Sequence, residues 1–469
     1  MNSPDKINFS RYIRINRKKP EAIYLQIVYQ FINAVQRGDL KVGEKIVGSR
    51  VLSENIGVHR KTVVSAMDEL QAQGWVEMVA KKGTFVQNPQ IKKTANVVNS
   101  ESTNRQDAHF TFTKSFVLDS PFEGTTAVRA FNDGQPDCRL ANLDELSRFY
   151  RNALKRKQVQ KLLGAFSNKG NTFFLEQLSY YLNLTRGVHI SKEHLVTAKN
   201  KALLVYTTAH LLLRPNDVVL VGELSYFFAN MTFQQFGVRL KTIPIDEHGM
   251  DVSYIAKNFQ KGEIRCVYLN ARTYYPTTVS LSEERKLALL ELAKQLDFVI
   301  IEDDEDFEFQ YEKSVYSSLF SLDKSGVVIY LGVFGKMLTP TFQTGFMLAP
   351  KNFSATVSDL LTVLEPQKDI VTEQALGEMI EEGDYFRYHK KAIKVYRDRR
   401  NAFASFLTEK LDRKIHFQIP ESGLAFWVEF LNPTDLTQFI KKCKEEDIFI
   451  PRICIYQTAK KSGLRLGFA

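Results

Sequence analysis

The chain is poor in cysteine, in tryptophan and in long apolar runs. Its four cysteines (Cys138, Cys266, Cys443 and Cys454) are scattered through 469 residues with no close pair. That spacing excludes a disulfide frame and a Cys/His zinc site, and it suits a reduced cytosol. No stretch approaches the roughly 18 apolar residues that a membrane span needs. Residues 1–17 are polar and lack the apolar core of a secretory leader, so a cytoplasmic location is expected. There is no G-x-S-x-G nucleophile elbow, and no internal repeat. What is present is an ordinary core-forming composition, 44% hydrophobic, 12% aromatic and 25% charged. Such a chain is not disordered, collagen-like or coiled-coil over most of its length. Its length fits about two to four domains.

Positive charge is concentrated at one end. Residues 1–90 carry 14 Lys/Arg against 8 Asp/Glu, whereas the whole chain is only +10. A basic N-terminal module favours a polyanion, nucleic acid first. The local pattern agrees. Residues 22–37 are apolar at helical spacing (Ile23, Ile27, Phe31, Ile32, Val35), and Gly38 follows as a stop signal. A short helix over 51–55, a turn at Gly57-Val58 and a second helix over 60–73 come next, the latter with the stripe Val63, Ala66, Met67, Leu70. Two short strands, 75–79 and 83–86, flank Lys81-Lys82. This is the order of a winged helix-turn-helix. Its second helix must enter the major groove, so basic and polar tips belong on its outer face. Ser49, Arg50, His59, Arg60, Lys61 and Thr62 lie where such tips belong. Lys81, Lys82 and Gly83 form the wing, where glycine lets the backbone approach a phosphate.

The segment from "AIYLQI" (22–27) through "GEKIVGSRVLSENIGVHRKTVVSAMDELQAQGWVEMVAKKGTFV" (43–86) resembles the GntR family of bacterial transcription regulators. The resemblance implies that Arg50, Arg60, Thr62 and Gly83 touch DNA. Val47-Gly48 departs from the Pro-Ser of many members. Residues 87–115, rich in Asn, Ser, Thr and Gln, read as a flexible linker.

From about residue 116 the pattern alternates strands and helices. "VVLVGE" (218–223), "CVYLNAR" (266–272), "DFVIIEDD" (297–304) and "VVIYLGVF" (327–334) are short apolar runs, suited to parallel strands buried on both faces. Residues 282–295 read as one of the helices between them. An α/β domain with a mostly parallel sheet follows, with a smaller C-terminal lobe from near Asp369.

This part resembles fold-type I pyridoxal-phosphate aminotransferases, and the whole chain resembles the MocR group, in which a GntR head is fused to such a domain. The matching segments are "FNDGQPD" (131–137), "LNLTRGV" (182–188), "HLLLRPNDVVLV" (210–221), "DEHGMD" (246–251), "VIIEDDEDFEF" (299–309), "GKMLTP" (335–340), "ESGLAFWVEF" (421–430) and "GLRLGFA" (463–469). The resemblance implies pyridoxal phosphate as cofactor, Lys336 as its Schiff-base lysine and Asp303 as the acid opposite the pyridine nitrogen. Arg465 matches the arginine that takes a ligand carboxylate, for which a planar fork is suited. Lys201 and Tyr226 are grouped with the cofactor-binding residues. A head-to-tail homodimer is also implied.

The cofactor pocket departs from the family pattern at several positions. The serine before the lysine is Gly335, and the phosphate-binding arginine is Gln343. The Gly-Ser-Gln turn is Asn200-Lys201-Ala202, the tyrosine on the ring hydroxyl is Glu305, the partner-chain tyrosine is Phe166, and the Pro-Thr-Gly turn is Pro276-Thr277-Thr278. Charge-assisted bonds are worth roughly 1.5–3 kcal/mol each, so losing two or three weakens phosphate binding by several powers of ten. Lys201 is the residue able to restore part of that charge.

The expected protein is a bacterial DNA-binding regulator that binds double-stranded operator DNA. Its body senses a small molecule: pyridoxal phosphate, an amino compound or another anionic metabolite. Lys201, Arg272, Lys336 and Arg465 are the basic groups expected to line the crevice. An aminotransferase with an accessory DNA-binding head is the alternative, and a body that only dimerises the head is a third reading.

Overall fold

The computed structural model describes residues 12–17, 21–80, 82–87, 108, 110–112, 125–127, 129–163, 170–311, 316–339, 342–411, 413–432, 434–451 and 462–469. Lys81, Phe166 and nearly all of the expected linker lie outside the described residues. The chain divides into two compact units, Met1–Thr113 and Lys114–Ala469.

In the first unit, α1 (Ile23–Gln36) buries Ile27, Phe31 and Val35, the stripe its spacing dictates. A short strand β1 (Lys45–Ile46) leads into α2 (Ser49–Ile56). Gly57 ends α2 in the left-handed conformation at φ 67°, a region that favours glycine. Helix α3 (Arg60–Ala72) turns Val63, Ala66, Met67 and Leu70 inward. Strands β2 (Val76–Val79) and β3 (Gly83–Val86) form the hairpin. Its sheet has three strands, not two, because β1 pairs with β3 through Lys45–Phe85 and Ile46–Thr84. Helix α2 also begins earlier than its apolar pattern indicates, so Ser49 and Arg50 form its first turn. Residues 12–17 lie along α1, where Ile13 enters the core and the side chain of Gln30 bonds both the amide and the carbonyl of Arg14.

The second unit is built on a seven-stranded sheet. Its order is Leu195–Ala198, Thr344–Leu348, Val328–Phe334, Val299–Asp304, Cys266–Leu269, Val218–Gly222, Arg239–Ile243. The last five are mutually parallel. Thr344–Leu348 runs antiparallel to both of its neighbours, a reversal that the sequence pattern did not register. The central strands are apolar because helices cover both faces. One face packs Val267, Leu269, Ile300 and Val328 beneath the helix Glu283–Leu296. The other packs Val219, Tyr268, Ile301 and Leu331 against the helix Lys201–Leu212. Ser282 caps the first of these helices and Glu283 and Glu284 follow in its first turn, where acids complement the helix dipole.

A separate antiparallel sheet of Ile415–Phe417, Ala425–Phe430 and Gly463–Gly467 has its own core of Phe309, Tyr396, Leu424 and Phe426. The helix Ile370–Glu381, just past the expected lobe boundary, packs instead with Leu146, Phe174 and Phe334 of the large sheet's core.

Candidate functional sites

On the head, the turn between α2 and α3 gathers the expected DNA-facing side chains. Arg50, His59, Arg60, Lys61 and Lys82 are exposed, while Ser49, Thr62 and Gly83 are half-buried. Arg60 Nε donates to Ser49 Oγ at 3.2 Å, so the starts of the two helices meet. The His59 ring accepts from the Lys61 amide and caps α3. No acid lies in the first turn of α3, which leaves that helix end favourable to phosphate. Gly83 sits at φ 119°, and a Cβ there would lie 2.7 Å from Lys45 Cε. Two basic residues missed in the sequence also reach this surface. Arg17 donates to the Gly57 carbonyl at 3.0 Å, and Lys45 lies over Gly83. Both become legible only once the N-terminal arm and β1 are placed.

On the body, a cavity of about 190 Å³ opens at the carboxyl ends of the parallel strands, the usual ligand edge of such a sheet. It brings together Asp303, Lys336, Lys201, Tyr226 and Arg465 of the expected set, with Asp133, Tyr275, Glu305 and Asp306. Asp303 ends the strand Val299–Asp304, and Lys336 follows the strand Val328–Phe334. Gly335, before the lysine, is at φ 85°, and a Cβ there would meet the Phe342 carbonyl at 2.8 Å. The serine of the family pattern is therefore sterically disfavoured.

The charges in this cavity are already paired. Lys201 Nζ lies 2.7 and 2.9 Å from the two Asp303 oxygens and 2.5 Å from Glu305. Tyr268 donates to the same Asp303 carboxylate. Lys336 Nζ bonds Glu305 and Asp306, each at 2.8 Å. Arg465 lies 3.1 Å from Asp133, donates to the Pro276 carbonyl and stacks over Tyr275. Burial opposes the charge on Lys201, but Asp303 and Glu305 outweigh it and hold its pKa above the ordinary lysine value. Lys336 is raised in the same way against burial, by Asp306 and Glu305.

Two expectations, on Arg272 and Lys201, need correction. Arg272 is not a group of the crevice: it is buried in a bidentate bond to Asp304, under the Tyr316 ring. Lys201 does not serve the phosphate position, because its side chain turns to Asp303. Gln343 and Asn200 line a different cavity, with Lys199, Glu365 and Lys368.

Two buried acids were not singled out by sequence. Glu308 accepts from the amides of Gly335 and Met337 at 3.1 and 3.0 Å and so fixes the Lys336 turn. Glu302 accepts from Leu319 and Phe320. Burial pushes both up to about 7. A carboxyl raised on folding binds more protons in the folded state, so its stabilisation is complete below the unfolded value of 4.5 and is lost as pH rises through about 7. Each accounts for a loss on the order of 3 kcal/mol in total across that window. Melting temperature is expected to fall across this window, and Glu308→Gln to flatten the fall. An unchanged slope in the variant would count against the buried acid.

Comparison with known proteins adds the class. Residues 23–86 match the family "Bacterial regulatory proteins, gntR family". The Bacillus subtilis uncharacterized HTH-type transcriptional regulator YisV is 23% identical over 97% of this chain and 93% of its own length. The probable rhizopine catabolism regulatory protein MocR of Rhizobium meliloti is 22% identical, covering 89% of this chain and 83% of its own. The structure of the Pyrococcus horikoshii kynurenine aminotransferase superposes with TM-score 0.67 at 22% identity, over 73% of this chain and 86% of that one.

The gntR match and the regulator relatives thus give a DNA-binding transcription regulator, a winged helix joined in one chain to an aminotransferase-type α/β unit. More narrowly, its order of parts, a gntR-type head followed by an aminotransferase-like body, is similar over nearly the whole chain to MocR-type regulators.

The body shares the fold of that aminotransferase, yet its residues do not fit pyridoxal phosphate. The acid meant for the ring nitrogen already holds Lys201. A covalent link to the cofactor's aldehyde needs a neutral amine, whereas Lys336 is clamped as an ammonium between two carboxylates.

Proposed function

We propose that this regulator works in the cytoplasm as a homodimer whose body senses a small molecule, and that occupancy of the body sets the affinity of the heads for operator DNA. The supporting observation is the buried, charge-lined cavity at the strand ends, carried on the same chain as a gntR-family head. Two heads related by a twofold axis suit paired half-sites. Asp133, Tyr275 and Arg465 form the wall that orients a polar ligand, and Glu305 with Asp306 fixes the charge at its base. A ligand shifts operator affinity only by the difference in its affinity for two states of the protein.

The test begins with duplexes selected by the protein from a random pool. Small molecules are screened for those that raise the melting temperature of the full chain, and each is added to an operator titration. The expected outcome is a change in operator affinity of at least about fivefold, the low end of ordinary allosteric coupling. Equal affinity with and without every stabilising ligand would sink the sensing role and leave the body a dimerising scaffold.

A further inference from the structure

We propose that Lys201 is a built-in replacement for the cofactor ring: its ammonium takes the place opposite Asp303 and frees the body from pyridoxal phosphate. In an enzyme of this fold the buried acid needs a cation, and the protonated ring supplies it. Here a side chain supplies it, from the first turn of the helix Lys201–Leu212.

The geometry is that of a completed site. Asp303 is 1% exposed and Lys201 8% exposed, so both charges are out of water and each needs the other. Both Asp303 oxygens are within hydrogen-bond distance of Lys201 Nζ, Tyr268 takes one of them as well, and Asn270 donates to the Asp303 main-chain carbonyl at 3.0 Å. The Lys201 ammonium also lies 4.7 Å from the centre of the Tyr226 ring, a cation–π contact.

Charge balance points the same way. The carboxylates of Asp133, Asp303, Glu305 and Asp306 outnumber Lys201, Lys336 and Arg465 on the cavity wall. A phosphate dianion would enter surroundings that are already negative. The Glu305 carboxylate bridges Lys201 and Lys336, so the two lysines are locked by one shared acid.

Lys201 plays this part whether or not the head binds an operator, so failure here is separable from failure of the regulator reading. The direct test titrates the full chain with pyridoxal phosphate and follows visible absorption and melting temperature. A ligand at about a hundredfold over its Kd stabilises measurably. The expected result is no saturable visible band and no melting shift, with parent and Lys336→Ala alike. A saturable band in the parent that Lys336→Ala abolishes overturns the proposal.

A second arm compares Lys201→Met, Asp303→Asn and the double variant. If Lys201 is the counterion of Asp303, Lys201→Met loses the most and Asp303→Asn restores part of its melting temperature. Additive losses overturn the proposal. Should Lys201→Met fail to fold, the titration of the parent decides alone.

Discussion

Arg272→Met is expected to cost about 3–5 kcal/mol, the range for removing one partner of a buried ion pair. For a unit of this size the corresponding fall in melting temperature is about 4–7 °C. Arg272 and Asp304 are both about 2% exposed at their side chains. Three of their N–O distances fall between 2.8 and 3.0 Å, a bidentate fork. Tyr330 donates to Asp304 at 2.9 Å, and Arg272 also reaches Gln310. Without the guanidinium, Asp304 keeps one hydroxyl partner in a dry site. Asp304→Leu in the Arg272→Met background removes the stranded charge, so the double variant should melt above Arg272→Met alone. Equal melting of the two would place the cost in lost packing against Tyr316 rather than in charge.

The same strand shows how much of the body was legible. Alternation along Val299–Asp304 sends Asp303 and Asp304 to opposite faces. Asp303 accordingly meets Lys201 and Tyr268, and Asp304 meets Arg272 and Tyr330. Asp303, Lys336, Lys201 and Arg465 were readable because each sits in a segment that aligns with the family pattern. Their pairings were not. Lys201 and Asp303 are 102 residues apart, and nothing local distinguishes a lysine that meets a phosphate from one that meets a carboxylate. Glu305, a misfit beside a ring hydroxyl on sequence grounds, becomes the bridge between two lysines once the fold closes. Thr344–Leu348 was missed as a strand because a five-residue apolar run carries no sign of its direction.

The head was legible for the opposite reason: the residues proposed to face DNA are nearly continuous in sequence. Ser49 to Thr62 spans both helix starts, and the helix stripe that buries Val63 and Leu70 fixes which side faces outward. Arg60→Ala is therefore expected to lower affinity for the selected operator by about 5–150-fold, the worth of a good base contact of about 1–3 kcal/mol, and to relax base preference. Lys82→Ala, on the wing, should weaken binding evenly across sequences and lower the salt slope by about one. The separation of the two effects is physical. A guanidinium at the start of α3 can present a planar fork to a base edge, whereas an ammonium beside Gly83 is a point charge near the phosphates. Arg60 is exposed and its Ser49 bond lies on the surface, so its removal should leave the melting temperature of the chain nearly unchanged. Binding by both variants indistinguishable from the parent would remove α3 and the wing from the DNA interface. A loss in Arg60→Ala that tracks salt but not sequence would make Arg60 a phosphate contact and leave base reading to Arg50 and Thr62.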